Sequence, residues 1–396
     1  QPSHEAPRQA ALVREALEIA ERLGSEEAAL AANSGILFPL SKLGAYGELE
    51  PLLRRLHDRA DGARHPHYRQ VAAGFEAQLA ILQGRWSDAL KWAKASLQQA
   101  ELEGSTGVGG RFGFQMFAIQ RALGNLPNVA PVLARLTADA DSARMWLPGK
   151  VLLHCELQQY DEARRLLDRL GDLGNLPRDD LFETSIVYLA EACATLKDAR
   201  RCGALYEALQ PYRGANLSVF GTVALGSGAG YLALLATALR RFREARALYE
   251  EALAFNARIG SPPLVARTQV DYAALLQQGD RPADHDRAGQ LLREAQATAA
   301  RLGMRTLAAR AAALAGDGAG ADSLTEREID VLRRIAVGAS NKRIANDLQL
   351  SLSTVATHIR NILRKTGTGN RTEAVAHARR SNLIAVLLSN LTSLYY

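Results

Sequence analysis

The stretch LTEREIDVLRRIAVGASNKRIANDLQLSLSTVATHIRNILRKTGTGNRTEAVAHARRSNLI, residues 324–384, decides how this chain is read. Four short amphipathic helices can be placed in it from their stops and starts. Thr325 is a good N-cap, and Glu328 three residues later completes a capping box. Ile329, Leu332, Ile335 and Ala336 then recur at helical spacing until Gly338 ends the run. Ser340 caps a second helix carrying Ile344, Ala345 and Leu348. A third starts at Ser351 or Ser353 and stops at Gly367, and Asn370 with Glu373 caps a fourth. Helices two and three are joined by a tight turn, which is the plan of a helix-turn-helix.

In the third helix Val355, Ile359 and Ile362 share one face and would anchor it to its neighbours. Thr354, Thr357, Arg360, Asn361 and Arg364 project elsewhere, with Lys365 at the end. An apolar back with a basic, hydroxyl- and amide-bearing front suits a helix in the DNA major groove. Arginine reads guanine edges there, threonine offers a methyl or hydroxyl, and lysine holds phosphate. Charge points the same way. Residues 322–384 hold 11 Lys+Arg against 6 Asp+Glu, so +5 of the chain's +6 lies in this block.

The words LTEREIDVL, GASNKRIA, STVATHIRNI and NRTEAV closely resemble the LuxR-type (GerE/FixJ-like) DNA-binding domain of bacterial transcriptional regulators, over about 60 residues without a gap. The resemblance implies a transcription factor that binds double-stranded DNA as a homodimer, through an operator expected to be an inverted repeat, with the fourth helix supplying the dimer contact. It places Thr354, Thr357, His358 and Arg360 where the family contacts DNA, and Lys342, Asn361 and Lys365 near phosphates. Two positions depart from the family. Ala356 stands where a lysine usually follows the Thr-Val pair, which removes a groove or phosphate contact, and Arg343 stands where an acidic residue is common.

At 396 residues with 47% hydrophobic content, two or more folded domains are expected. No run of 18 apolar residues is present, so no membrane span is expected, and QPSHEAPRQA has no signal-peptide pattern. Cys155, Cys193 and Cys202 lack metal-ligand spacing and read as buried thiols of a cytoplasmic protein.

Residues 1–315 are dominated by helical patterns. LVREALEIAERLG (12–24), ARALYEEALAFNARIG (245–260) and LLREAQATAARLG (291–303) are variants of one helix, each ended by glycine. The turns GAYGEL, GRWSDAL, GNLPNV, QQYDEA, TLKDA, RRFREA and DHDRAGQ precede such helices. The small or apolar residue after each turn falls at Leu49, Ala89, Val129, Ala163, Ala199, Ala245 and Ala288, at spacings of 40, 40, 34, 36, 46 and 43. That period marks an α-solenoid of helix–turn–helix units. Gly84-Arg85-Trp86-Ser87-Asp88-Ala89 resembles the turn of a tetratricopeptide repeat, in which the small residue lets two helices approach and the aromatic fills the bend. The fold expected is therefore all-α: a tetratricopeptide-like solenoid over 1–315, a Gly/Ala-rich flexible linker over 316–323, the four-helix DNA-binding domain over 324–384, and an apolar extension over 385–396. Gly226, Gly228 and Gly230 are expected to mark a close helix crossing or a break.

The order of these parts resembles the C-terminal half of the large ATP-binding, MalT-like LuxR-family regulators, most closely from Gly221 to Met304 and on through the linker. Any ATPase module implied by that group would lie upstream of Gln1, so no cofactor is expected in this chain. No catalytic or metal site is expected either, and the chain reads as a non-enzyme. Residues 104–113, GSTGVGGRFG, lack the Lys-Ser/Thr ending of a phosphate loop and read as an inter-repeat loop. His57, His65 and His67 read as surface residues, and Asp284-His285-Asp286 as loop polarity. A solenoid offers a concave face for an unknown small-molecule or protein effector. Trp86, Trp92, Tyr206, Phe242 and Tyr249 stand near it, with core packing the expectation ahead of ligand lining. Two further readings stay open: a tetratricopeptide scaffold with weakened DNA binding, and the non-catalytic part of a signalling ATPase.

Overall fold

The computed structural model describes residues 2–102, 108–128, 130–131, 146–171, 173, 176–179, 181–219, 222–279, 281–315, 324, 326–348, 350 and 352–380, without the side chains of 2–4, 108–109, 326, 353, 357, 364 and 379–380. The expected linker and the apolar extension lie outside them. The chain divides into two compact units, Gln1–Ala315 and Gly316–Tyr396.

The first unit, the body, is built from α1 (Pro2–Arg22), α2 (Glu26–Gly35), α3 (Leu37–Leu43), α4 (Tyr46–Gly62), α5 (Pro66–Gln83), α6 (Trp86–Leu102), α7 (Val108–Ala122), α8 (Leu147–Glu156), α9 (Tyr160–Leu170), α10 (Phe182–Leu196) and α11 (Ala199–Leu209). A short antiparallel pair follows, β1 (Asn216–Val219) and β2 (Val223–Ser227), and then α12 (Gly228–Ala238), α13 (Phe242–Arg258), α14 (Pro262–Leu276), α15 (Pro282–Arg301) and α16 (Arg305–Leu314). Consecutive helices pack as hairpins, α5 on α6, α8 on α9, α12 on α13, α14 on α15 and α15 on α16. The architecture is all-α with one small hairpin of strands.

The turns work as their residues dictate. At Gly84 the chain takes a left-handed conformation (φ +75°) that closes α5 through its amide to Ile81 O, and α6 starts two residues on. Ala89, one turn into α6, is fully buried, as are Leu49, Ala163, Ala245 and Ala288 in their helices. Ala199 is different. It is exposed, and Cys202 takes the buried position one turn into α11. With Cys202 in that register, spacings of 36 and 46 become 39 and 43. Val129 lies outside the described residues.

Three local expectations are corrected. Residues 216–219 and 223–227 form strands within the stretch taken as helical, because Leu217, Val219 and Val223 bury their side chains while the β-pair satisfies the backbone. Gly228 then starts α12 so close to Tyr212 that a Cβ would sit 1.9 Å from its carbonyl oxygen, and Gly230 meets the Cβ of Ala252 at a helix crossing. Residues 108–113 are the first turns of α7 rather than a loop, and Gly113 makes room for the indole of Trp146, which stacks on Phe114. Asp284-His285-Asp286 lies in the first turn of α15, where the buried Asp284 carboxylate accepts from Arg246 at 3.0 Å.

The larger correction concerns the concave face, which is not open. α5 packs against α14 and α7 against α16, although well over 150 residues separate them. Ser261 Oγ donates to Leu82 O (2.8 Å), Trp86 Nε1 to Leu302 O (2.7 Å), and Arg305 Nη2 to Leu123 O (3.0 Å) and Asn125 Oδ1 (2.7 Å). The last helices thus close onto the hairpin tips of the first half and leave a half-open pocket. Of the five aromatics considered for lining, only Trp86 lines it. Tyr206 and Tyr249 are core residues, and Trp92 packs against His57.

Candidate nucleic-acid interface

The second unit contains α17 (Glu326–Ala336), α18 (Asn341–Leu348), α19 (Leu352–Thr366) and α20 (Arg371–Arg380). Its boundaries follow local chemistry. Gly338 (φ +78°) and Gly367 (φ +63°) adopt the left-handed conformation that ends α17 and α19. Ser340 Oγ accepts from the Arg343 amide at 3.3 Å and caps α18. Asn370 Oδ1 accepts from the Glu373 amide at 2.9 Å, while the Glu373 carboxylate reaches back to the Gly369 amide at 2.8 Å. Thr325 lies outside the described residues.

α19 crosses α17, α18 and α20. Val355 and Ile362 are fully buried and Ile359 partly so, against Leu332, Ile335, Ile344, Leu348, Ala374 and Ala378. Val331, not among the expected anchors of α17, is also fully buried. With its back fixed this way, α19 turns its other faces outward. Arg360 is exposed, and Thr354, His358 and Asn361 are half-buried. Thr357 and Arg364 lie on the same helix, but their side chains are outside the described residues. Lys342 is exposed in the first turn of α18.

Lys365 is the exception. Its ammonium pairs with Glu328 at 2.8 Å, with the two side chains 12% and 3% exposed. The pair ties the end of α19 to α17. Position 365 flanks the buried stripe one turn beyond Ile362, which points its side chain toward α17 instead of outward. The Lys365 ammonium, expected near phosphate, is held by Glu328 in this structure.

The other cations sort the same way. Arg327 donates to Leu348 O (2.8 Å), Arg371 to Ala339 O (2.8 Å), Arg333 pairs with Asp330 (3.2 Å), and Arg334 approaches Asp347 (3.7 Å). Lys342, Arg343 and Arg360 are exposed and make no ion pair among the described residues. Uncommitted positive charge thus sits on the two helices of the helix-turn-helix. Arg343 belongs to this set although it was not among the expected contacts; its exposure in the capped first turn of α18 was the available signal.

A short, tightly turned helix pair with one cationic helix held by its apolar back defines a helix-turn-helix DNA-binding unit. Residues 322–378 match the family described as bacterial regulatory proteins, luxR family, and this part of the chain is a LuxR-family DNA-binding domain. Transcriptional regulatory protein LiaR of Bacillus subtilis (strain 168) is 44% identical over 63 residues, 16% of this chain and 30% of that protein. A nitrate/nitrite response regulator protein homolog of Haemophilus influenzae is 57% identical over 53 residues, 13% and 26% of the two chains. Response regulator protein VraR of Staphylococcus aureus is 46% identical over 63 residues, 16% and 30%. The chain thus covers less than a third of the length of each of these relatives. No described helix is long and apolar enough to cross a membrane.

Proposed function

We propose that this chain is a transcriptional regulator whose helical body senses a small molecule or partner and controls operator binding by the C-terminal domain. The observation that carries the reading is α19. Its apolar back is locked into the domain core while Arg360, Thr354, His358 and Asn361 stand on its remaining faces. The N-terminal half of such a helix reads base edges, and the exposed Lys342 and Arg343 of α18 would hold phosphate. Pairing of two copies on an inverted repeat, with half-sites about one helical turn apart, follows from two-fold symmetry.

Genomic footprinting of the bound chain, followed by titration of the recovered site across salt concentrations, tests this. The expected result is an inverted repeat bound with a log–log salt slope of about −0.9 per phosphate contacted. A chain that selects no site, or a footprint of one half-site with linear concentration dependence, overturns the dimeric regulator.

A further inference from the structure

The closed body holds a half-open pocket of about 490 Å³, within the range of small-molecule sites. Its wall has two chemistries. One part is apolar: Trp86, Phe117, Leu234, Met304 and Leu307 line it. The other is ionic, a four-residue cluster and a separate pair. Glu191, only 4% exposed, accepts from Arg121 and Arg267; Arg121 Nε also donates to Glu156 (3.0 Å); Arg310 pairs with Asp271 (2.7 Å). Three guanidiniums and three carboxylates leave the wall with no net charge.

Glu191 accepts from both arginines through Oε2 and ties α7, α10 and α14 together. Arg267 pairs with Glu191 and Arg310 with Asp271, and each guanidinium carries five N–H donors. Asp271 meets Arg310 through Oδ1, and Glu156 meets Arg121 through Oε1. Arg267 and Asp271 lie one turn apart on α14, and Arg310 faces Asp271 from α16. Donors and acceptors for opposite charges therefore stand side by side beside an apolar wall.

We infer that this pocket binds a free α-amino acid with a large apolar side chain. Its carboxylate is held by Arg267 and Arg310, its ammonium by Asp271, and its side chain by the Trp86–Leu307 wall. A net-neutral site with adjacent opposite charges matches a net-neutral dipolar ligand, whereas a simple anion or cation would leave one charge uncompensated away from water. The inference rests on the reading of the body as a sensor, and it names the route of the signal. Ala311 is the one fully buried hydrophobic residue of α16, and polar ties hold the rest: Arg310 to Asp271, Arg305 to Leu123 O, and Gln277 Nε2 to Leu314 O (2.7 Å). A ligand seated on Arg310 acts on the element of the body with few apolar anchors, and the DNA-binding unit follows that element in the chain.

Isothermal titration calorimetry of the full chain against L-leucine, L-methionine, L-phenylalanine and L-tryptophan tests the site. At least one is expected to bind, and its N-acetyl and carboxamide derivatives to bind about tenfold or more weakly, since each removes one charge. Arg310→Gln, on a half-exposed side chain, is expected to weaken binding about tenfold in a chain that retains its helical circular dichroism. No binding by any of the four at millimolar concentration overturns the inference, as does an N-acetyl derivative that binds as well as its parent, or an Arg310→Gln chain with unaltered affinity. Operator titration of the same preparation keeps the two readings apart. A chain that binds its operator but no amino acid loses only the ligand; one that binds an amino acid but no DNA loses the regulator.

Discussion

The two units of this chain both bury charge, and they bury it beside different things. In the C-terminal unit Glu328 and Lys365 face each other across α17 and α19 with apolar side chains around them. In the body Glu191 is as deeply buried, but the arginines it holds also line empty volume. A buried pair enclosed by packing fixes one helix against another. A buried network beside a cavity does that and also presents donors to whatever enters. Removing one partner of either should be costly, because the remaining charge is left in a poor solvent. Replacing the whole set by apolar groups should separate the two roles: it spares a fastening but destroys a recognition surface.

The sharpest break of this comparison is Glu191→Ala. It leaves both Arg121 and Arg267 without their shared partner, and a loss of about 3–5 kcal/mol from the stability of the body is expected. Trp86, Trp92 and Trp146 all lie in the body, so tryptophan fluorescence during urea unfolding reports on it alone. A change below about 1 kcal/mol would show that solvent already satisfies the two arginines. Acid gives the same information without truncation. Burial alone would raise the Glu191 pKa, but Arg121 and Arg267 outweigh it and hold the carboxyl at about 2 instead of 4.5. Its stabilisation is therefore complete above pH 4.5 and is lost as pH falls toward 2. The Glu191→Gln chain should lack this share of the acid sensitivity.

In the C-terminal unit, Glu328→Ala should cost about 2–3 kcal/mol by stranding Lys365, read as loss of helical circular dichroism at lower temperature without a change in tryptophan emission. The double change Glu328→Leu with Lys365→Met should recover most of it. If it also leaves operator affinity intact, Lys365 is a fastening and not a phosphate contact. A double variant that folds but loses DNA would return Lys365 to the interface.

The same contrast governs what could be read in advance. The C-terminal helices are delimited by chemistry within a few residues, such as Ser340 with the Arg343 amide and Asn370 with Glu373, so sequence displays them. The inward turn of Lys365 was half-visible, since both it and Glu328 flank apolar stripes, but their pairing spans 37 residues. In the body the hairpins show through their turns, while the closure does not. It rests on contacts such as Trp86 to Leu302, 216 residues apart, and on an arginine at 305 that resembles any exposed helix residue until it meets the carbonyl of Leu123. The strands at 216–219 and 223–227 were hidden for a related reason: their apolar residues fit a helix equally well, and only the surrounding helices decide.

Arg360→Ala probes the exposed side of α19. Because Arg360 packs against nothing in the core, stability should be unchanged while operator affinity falls by about 1–3 kcal/mol, with discrimination relaxed at one base pair. Fluorescence anisotropy with the recovered operator and single-base variants measures both. An affinity loss uniform across all sequences would reassign Arg360 from base to phosphate.

The smallest effect should come from Ala356→Lys. Ala356 is exposed on α19, so a lysine there has room and meets no buried surface. It restores the residue that the LuxR family usually carries after the Thr-Val pair. One added phosphate contact should raise affinity modestly at low salt and steepen the log–log salt slope by about 0.9. Arg343→Glu should shift the slope the other way by a similar amount, since it removes an uncommitted cation from the neighbouring helix. Combined, the two changes should nearly cancel if Arg343 supplies the positive charge that Ala356 gave up. An Arg343→Glu chain with unchanged slope, or a double change as steep as Ala356→Lys alone, would show that the charge at 343 never reaches the DNA, and would leave Arg360 and Lys342 as the described cations of the interface.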